Sequence, residues 1–508
     1  MCSEVFNGCL QDHKPLLAVI ESSHYLTEQT WQDLHLDAVL GEPLQVKPFL
    51  IHPCGREELS ARQRIFAAIR DSADDSVYKS MAACRTALFT LQRSLDIWKD
   101  ARTFVEQTCL FVEVLRAYLS ARQSLKALQG DGRLREVAFH FQSMDDAQIS
   151  SAIEKAQVIL ERISHVCLSY GERQWTFAAA GSQDDGTLFE ELSECAKELG
   201  LAFAVKERRP IYPDPYISEA FRTLYKREFE QLEQILTPLS KENFGEVLDH
   251  IPSLDFYLQM EDFFRRAEKR GLVRCIPTIS DQKQFCLQEM YDFTLLSSDT
   301  PSIVPNSTYF TSEEPFFFLV GANGGGKTTY LRAIGCNLVL LMAGCPIMAR
   351  SGVGYPFTSV QTHYPSDERF SGMGRLDDEQ RRVSEMLDGQ ETDGFYLFNE
   401  TFSGANHEKG FALAMQLAER MHKEGRFGLF VTHFHQVIGK AFPVLSVGTT
   451  ADELNENEER PLETHHNRTY RVSYAGAKAY SYAEDILRKY GMDRHSLWAR
   501  LAREEEAR

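Results

Sequence analysis

The sequence predicts an α/β domain with a mostly parallel sheet, preceded by a mainly α-helical domain. Two observations carry the α/β half. Residues 316–320, 394–398 and 427–431 are short, continuous apolar runs, as in strands buried on both faces. Amphipathic stretches at 329–342, 376–387 and 409–423 alternate with them, and such alternation marks a parallel sheet crossed by helices. A third observation carries the helical half. From about residue 57 to 165 apolar residues recur at spacings of three and four, with Phe104, Val105, Thr108, Cys109, Val112, Leu115 and Leu119 on one stripe.

Taken in order, residues 24–40 read as a helix carrying Leu26, Trp31, Leu34 and Leu36. Pro43, Pro48, Pro53 and Gly55 mark a connecting segment. The helical run from 57 breaks at Gly130-Asp131-Gly132 and resumes over 146–166. Residues 166–171 and 175–178 read as short strands, 181–186 as a loop tip and 188–199 as a helix. Pro210, Pro213 and Pro215 form a rigid connector. Ser218 reads as the N-cap of a helix bearing Phe221, Leu224, Tyr225, Phe229, Leu232, Ile235 and Leu236. A further helix over 254–269 ends with Gly271 as its C′ residue, and Pro277 closes the region. Residues 452–468 are polar and acidic, an exposed loop, and a last helix covers 481–490.

The chain has 508 residues, enough for two or three domains. Its 43% apolar and 25% charged content is that of a soluble globular protein. A net charge of −18 argues against a cationic coat for indiscriminate nucleic-acid binding, but leaves room for a local basic stripe. No apolar run reaches bilayer-spanning length. The first five residues have neither the basic nor the apolar region of a signal peptide. The eleven cysteines include no C-x-x-C pair, so buried thiols are expected rather than zinc ligands or disulfides. The expected compartment is the cytoplasm, or the nucleus in a eukaryote, with no membrane partner.

The chemistry centres on FFFLVGANGGGKTT at 316–329. A glycine-rich turn after an apolar strand, with a helix starting near Lys327, is the G-x-x-x-x-G-K-[ST] phosphate loop (P-loop) in its expected setting. Gly321, Asn323, Gly324, Gly325 and Gly326 let backbone N–H groups cradle a triphosphate. Lys327 would reach its β- and γ-phosphates, Thr328 would offer a hydroxyl to Mg²⁺, and Thr329 completes the motif. A second apolar strand ends in Asn399-Glu400. The usual first residue there is Asp, which holds Mg²⁺; Asn399 can accept from a metal-bound water but carries no charge. Glu400 is the natural general base for an attacking water. A third strand ends in His433, set to hydrogen-bond the γ-phosphate and that water. Ser371-Gly372-x-Gly374 before a helix is a second anion site. In ABC-type ATPases such a loop completes the nucleotide site of the other subunit. Each motif also has a plain structural reading, as a Gly turn, a loop start or a surface His; their order along one chain favours the chemical one.

With these motifs in order, the chain resembles the MutS family of DNA mismatch-repair ATPases. Residues 321–332 are similar to that family's GPN-x-GGK-[ST]-T-x-LR loop, with Ala322 in place of Pro. Val304-Pro305-Asn306, Thr432-His433-Phe434, Gly476-Ala477-Lys478 and Leu254-Asp255-Phe256 also resemble family stretches. The resemblance implies ATP and Mg²⁺ as cofactors and Asn306 against the nucleotide base. It implies DNA as partner and a homodimer, or alternatively a heterodimer, with ATP between one phosphate loop and Ser371-Gly372 of the other subunit. The implied domains are 1–56 (N-terminal segment and start of the core), 57–285 (helical core and lever, with a short clamp-like insertion near 166–210), 286–490 (ABC-type ATPase domain) and 491–508 (helical tail). Because the core-like segment starts near residue 25, the expectation is a divergent member without mismatch-recognition and connector domains. It would be a slow, DNA-modulated ATPase that grips branched, unusual or non-specific duplex DNA. The alternative is a nucleotide-gated protein-interaction scaffold with little or no turnover.

Overall fold

A computed structural model describes residues 26–40, 46–52, 54–163, 166–171, 174–179, 215–298, 303–364, 375–389, 393–449 and 468–474. The expectations for 181–186, 188–199, 476–490 and 491–508, and for most of the clamp-like insertion, fall outside them. The chain divides into two compact units, Ala68–Leu258 and Val19–Ala67 with Gln259–Arg508.

Helices α1 (Glu28–Asp33), α2 (Asp37–Leu40) and α3 (Lys47–Ile51) open the described chain. The single helix expected over 24–40 is two. His35 breaks it at φ 55°, which lets Leu34 and Leu36, two apart and both fully buried, point into the same core; one helix would set them roughly 200° apart. Helix α4 (Arg56–Asp71) contains the first division between the units.

The helical unit continues with α5 (Ser76–Lys99), α6 (Phe104–Lys126), α7 (Arg133–Gln142) and α8 (Ala147–Ile163). Val77, Met81, Cys84, Leu88, Leu91 and Leu95 form the buried stripe of α5. α6 is buried on most of its surface and is the unit's central helix. Its N-cap Thr103 accepts from the Glu106 amide at 3.2 Å, closing one of the orphan donors of the first turn. Strands β1 (Val166–Gly171) and β2 (Gln174–Ala179) pair antiparallel. Helices α9 (Pro215–Leu224), α10 (Lys226–Leu236), α11 (Phe244–Leu248) and α12 (Ile251–Lys269) follow. Pro215 starts α9, a role its fixed φ suits. Ser218 therefore lies inside the helix and is buried, rather than capping it. Partly buried ion pairs tie the unit together: Arg122 with Asp146 at 2.8 Å, and Arg85 with the fully buried Asp255. The second division falls within α12, and Gly271 beyond it has φ 81°, with Leu272 N donating to Ala267 O at 3.2 Å. That is the expected glycine-closed helix end.

The second unit holds two mixed sheets. Its strands are β3 (Thr278–Ile279), β4 (Phe285–Met290), β5 (Asn306–Phe310) and β6 (Phe316–Val320). After α13 (Lys327–Met342) come β7 (Ser351–Gly354) and β8 (Ser359–His363). Then follow α14 (Arg375–Asp388), β9 (Gly394–Asn399), α15 (His407–Lys423), β10 (Phe427–Val431), β11 (Val444–Thr449) and β12 (Arg468–Tyr474). The larger sheet runs β12-β11-β6-β10-β9-β8, parallel except for β12. The smaller runs β3-β7-β4-β5.

The unbroken apolar runs have a structural cause. Phe316, Phe318 and Val320 of β6 pack with Val383 and Leu387 of α14 and Ala414, Leu417 and Met421 of α15. On the other face Phe317 meets Phe310 of β5, with ring centroids 5.0 Å apart, and Phe395 meets Phe285 and Phe310. Both faces are covered, so no position on the strand can be polar. No helix among the described residues is long and apolar enough to cross a membrane.

Candidate functional site

Between β6 and α13 the chain must turn sharply. Gly324 and Gly326 do so at φ 69° and 97°, a region open to glycine at little cost. A Cβ at Gly326 would also stand 3.2 Å from Tyr470 Cδ1, a tight contact. Gly325 is buried, Asn323 is exposed and Thr329 is half-buried in the first turn of α13. The turn brings the Lys327 side chain back over its own loop. Its Nζ donates to Gly321 O at 2.8 Å, Ala322 O at 3.2 Å and Asn323 Oδ1 at 3.3 Å. A buried ammonium needs such oxygens, and Glu400 Oε1 lies 4.0 Å away.

The sheet order puts the remaining candidates at the same edge. β10 lies between β6 and β9, all parallel, with Val431 opposite Leu319 on one side and Asn399 on the other. The strand ends therefore meet beside the glycine loop, the edge where open α/β sheets bind ligands. Thr328 Oγ1 donates to Asn399 Oδ1 at 3.3 Å. Glu400 N donates to Val431 O at 2.9 Å and Thr432 N to Leu319 O at 2.9 Å. Burial pushes the His433 imidazole below its ordinary pKa, against the pull of the nearby Glu400 carboxylate, so its ring is neutral at pH 7. Thr328, Asn399 and Glu400 offer hard oxygen donors of the kind Mg²⁺ takes, mostly through water. Among the described residues no group of three or more His, Cys, Asp or Glu side chains could hold a metal ion. The chain's own charge there is thus thin, and a metal at this edge would depend on a ligand's oxygens as well.

Asn306 opens β5, and β12 takes both ends of its amide. Nδ2 donates to Tyr470 O at 3.0 Å and Oδ1 accepts from Val472 N at 2.8 Å. β12 is irregular at that point, its register with β11 shifting between Val447 and Thr449, and Tyr470 has φ 55°. The amide clamps this bulge and holds the Tyr470 ring against Gly326. Ser371 and Gly372 lie outside the described residues.

Several side chains at this edge had escaped the sequence reading. His435 stands close enough to Lys327 and His433 that both add to the effect of burial in lowering its pKa. His363, at the end of β8, bonds through Nδ1 to Thr401 Oγ1 at 2.9 Å. Glu379 of α14 is buried and accepts from Phe402 N at 3.0 Å. Glu379 did leave a signal: it falls on the apolar stripe of its helix with Leu376, Val383 and Leu387, where a carboxylate needs a reason.

A mixed α/β unit with a glycine loop at the carboxyl edge of its sheet is thus defined, and its sequence is similar to that of known proteins. Residues 317–473 match the family model described as MutS domain V. The DNA mismatch repair protein msh-2 of Neurospora crassa is 27% identical over 174 residues, 34% of this chain and 18% of that protein. The endonuclease MutS2 of Clostridium botulinum is 23% identical over 280 residues, 54% of this chain and 34% of that protein. That of Streptococcus suis is 25% identical over 211 residues, 41% of this chain and 26% of that protein. The match spans about a third or less of the length of these relatives. The chain is thus similar to the MutS family, and its likeness to the family model is confined to the second half.

Proposed function

We propose that this chain is an ATP-dependent DNA-binding protein of the MutS type. ATP binding and hydrolysis at a composite site between two copies drive the helical unit to grip or release DNA. The observation that carries the reading is the gathering of Lys327, Thr328, Asn399, Glu400 and His433 at one sheet edge around a glycine loop. In this reading Lys327 exchanges its loop carbonyls for the β- and γ-phosphates. Thr328, Asn399 and Glu400 hold Mg²⁺, which neutralises phosphate charge. Glu400 takes the proton of the attacking water, and the neutral His433 hydrogen-bonds the γ-phosphate side. Ser371-Gly372 of the second copy covers the nucleotide. Branched, unusual or non-specific duplex DNA is held by Lys and Arg contacts to phosphate.

Asn399 favours a second reading. A neutral amide where a carboxylate is usual slows turnover, so that nucleotide binding alone gates a protein-interaction scaffold. Steady-state ATP turnover with and without duplex and branched DNA separates the two. Under the first reading turnover rises with DNA and falls at least about 100-fold in Glu400→Gln, and Lys327→Ala loses ATP binding. Unchanged nucleotide affinity in Lys327→Ala would refute the site. ATP binding without turnover, and no DNA retention at low salt, would leave the scaffold.

A further inference from the structure

The turn that carries Glu400 is strained and braced. Glu400 and Phe402 have φ of 50° and 66°. For side chains larger than glycine such a conformation is strained and persists only where the surroundings fix it. Three bonds do so here. Glu400 N donates to Val431 O at 2.9 Å, which anchors the start of the turn to β10. Thr401, 1% exposed, meets His363 Nδ1 at 2.9 Å, which anchors its middle to β8. Phe402 N donates to Glu379 Oε2 at 3.0 Å, which anchors its end to α14. The last bond is the unexpected one. Glu379 is 1% exposed on the apolar face of α14, and burying a carboxylate is costly unless it is well bonded.

We infer that Glu379 is a positioning residue, which aims the Glu400 side chain at the glycine loop by fixing the Phe402 amide, with His363 as a second anchor through Thr401. Its effect on the reaction is exerted through Glu400. Without the Glu379 acceptor the turn relaxes toward extended backbone, and the Glu400 carboxylate leaves its place 4.0 Å from Lys327 Nζ. Lys327, Thr328 and the glycines do not depend on the brace, so nucleotide affinity falls far less than turnover. α14 also begins three residues after Gly372 in the chain. Through the Glu379–Phe402 bond the position of α14 bears on the position of the base. The inference rests on the ATPase reading above.

The test measures ATP turnover in the full chain together with equilibrium binding of a fluorescent, slowly hydrolysed ATP analogue. Glu379→Ala should lower kcat about 10- to 100-fold, as ångström-scale misplacement of a base does, with analogue affinity within about threefold of the parent. Glu379→Gln keeps an acceptor oxygen at the same reach and should restore kcat to within about fivefold. Thr401→Val removes the second anchor and should lower kcat several-fold with affinity again unchanged. Parallel loss of affinity and kcat in all three variants would mean a merely structural role and overturns the inference. So does a Glu379→Ala chain with full kcat while Glu400→Gln is inactive, an outcome that leaves the ATPase reading standing. A parent chain without turnover, or one indifferent to Glu400→Gln, overturns the reading and the inference with it.

Discussion

His363 carries the clearest electrostatic consequence of a single residue. Burial, aided by the nearby Arg382 guanidinium, lowers its pKa to about 4. The ring is neutral in the fold but protonates near pH 6.5 once unfolded. Its contribution to stability is thus fully present above about pH 6.5, is lost as pH falls toward about 4, and is level below that. Between pH 7 and 4.5 the loss is on the order of 2 kcal/mol. His363→Gln does not titrate. Its urea midpoint should fall less over that interval than the parent's, by about that energy, and parallel curves would contradict the assignment. At this scale the sequence was readable where chemistry is local. Lys327, Thr328 and the glycines sit within one turn of chain, and Asn399-Glu400 and His433 end apolar strands. His363 and Tyr470 reach the site through packing between distant segments, which no spacing encodes, whereas Glu379 shows only as a carboxylate on an apolar stripe and His435 only as a second His beside His433. The family resemblance implies Asn306 against a nucleotide base; its amide here bonds Tyr470 O and Val472 N of β12.

Among the elements, α13 is the one most tightly set. It is buried along nearly its whole length, and Gly335 marks the closest approach. A Cβ there would lie 2.5 Å from Leu34 Cδ2 and 2.8 Å from Leu397 Cδ1. Gly335→Ala should therefore destabilise by about 1–3 kcal/mol despite the better helix propensity of Ala, read as a lowered thermal midpoint; an unchanged or raised midpoint would show that the leucines yield freely. The helices α13, α14 and α15 and the strands β6, β9 and β10 lie within two residues of their sequence expectation, because their apolar periods match full burial. The small sheet and β12 were not foreseen. Their strands are short and partly exposed, and pair with segments remote in the chain. The break at His35 and the burial of Ser218 escaped for the same reason: both answer to neighbours that the local pattern does not contain.

Across the whole molecule, the glycine loop hangs from a strand whose partners are made late. β6 ends at Val320, but its two neighbours, β10 and β11, begin at Phe427 and Val444. During synthesis Phe316-Phe317-Phe318-Leu319-Val320 must wait for more than about 100 further residues before either edge is paired. Such an apolar, unpaired segment is an aggregation hazard. Non-local pairing of this kind also slows folding. A nascent chain halted before Phe427 should be insoluble or chaperone-bound, whereas one extended past Tyr474 should be released folded. Equal solubility of both lengths in a translation-arrest series would contradict this. The loop that would hold the triphosphate is consequently among the last parts of the protein to come into being, and under the proposed function a truncated product could not bind nucleotide.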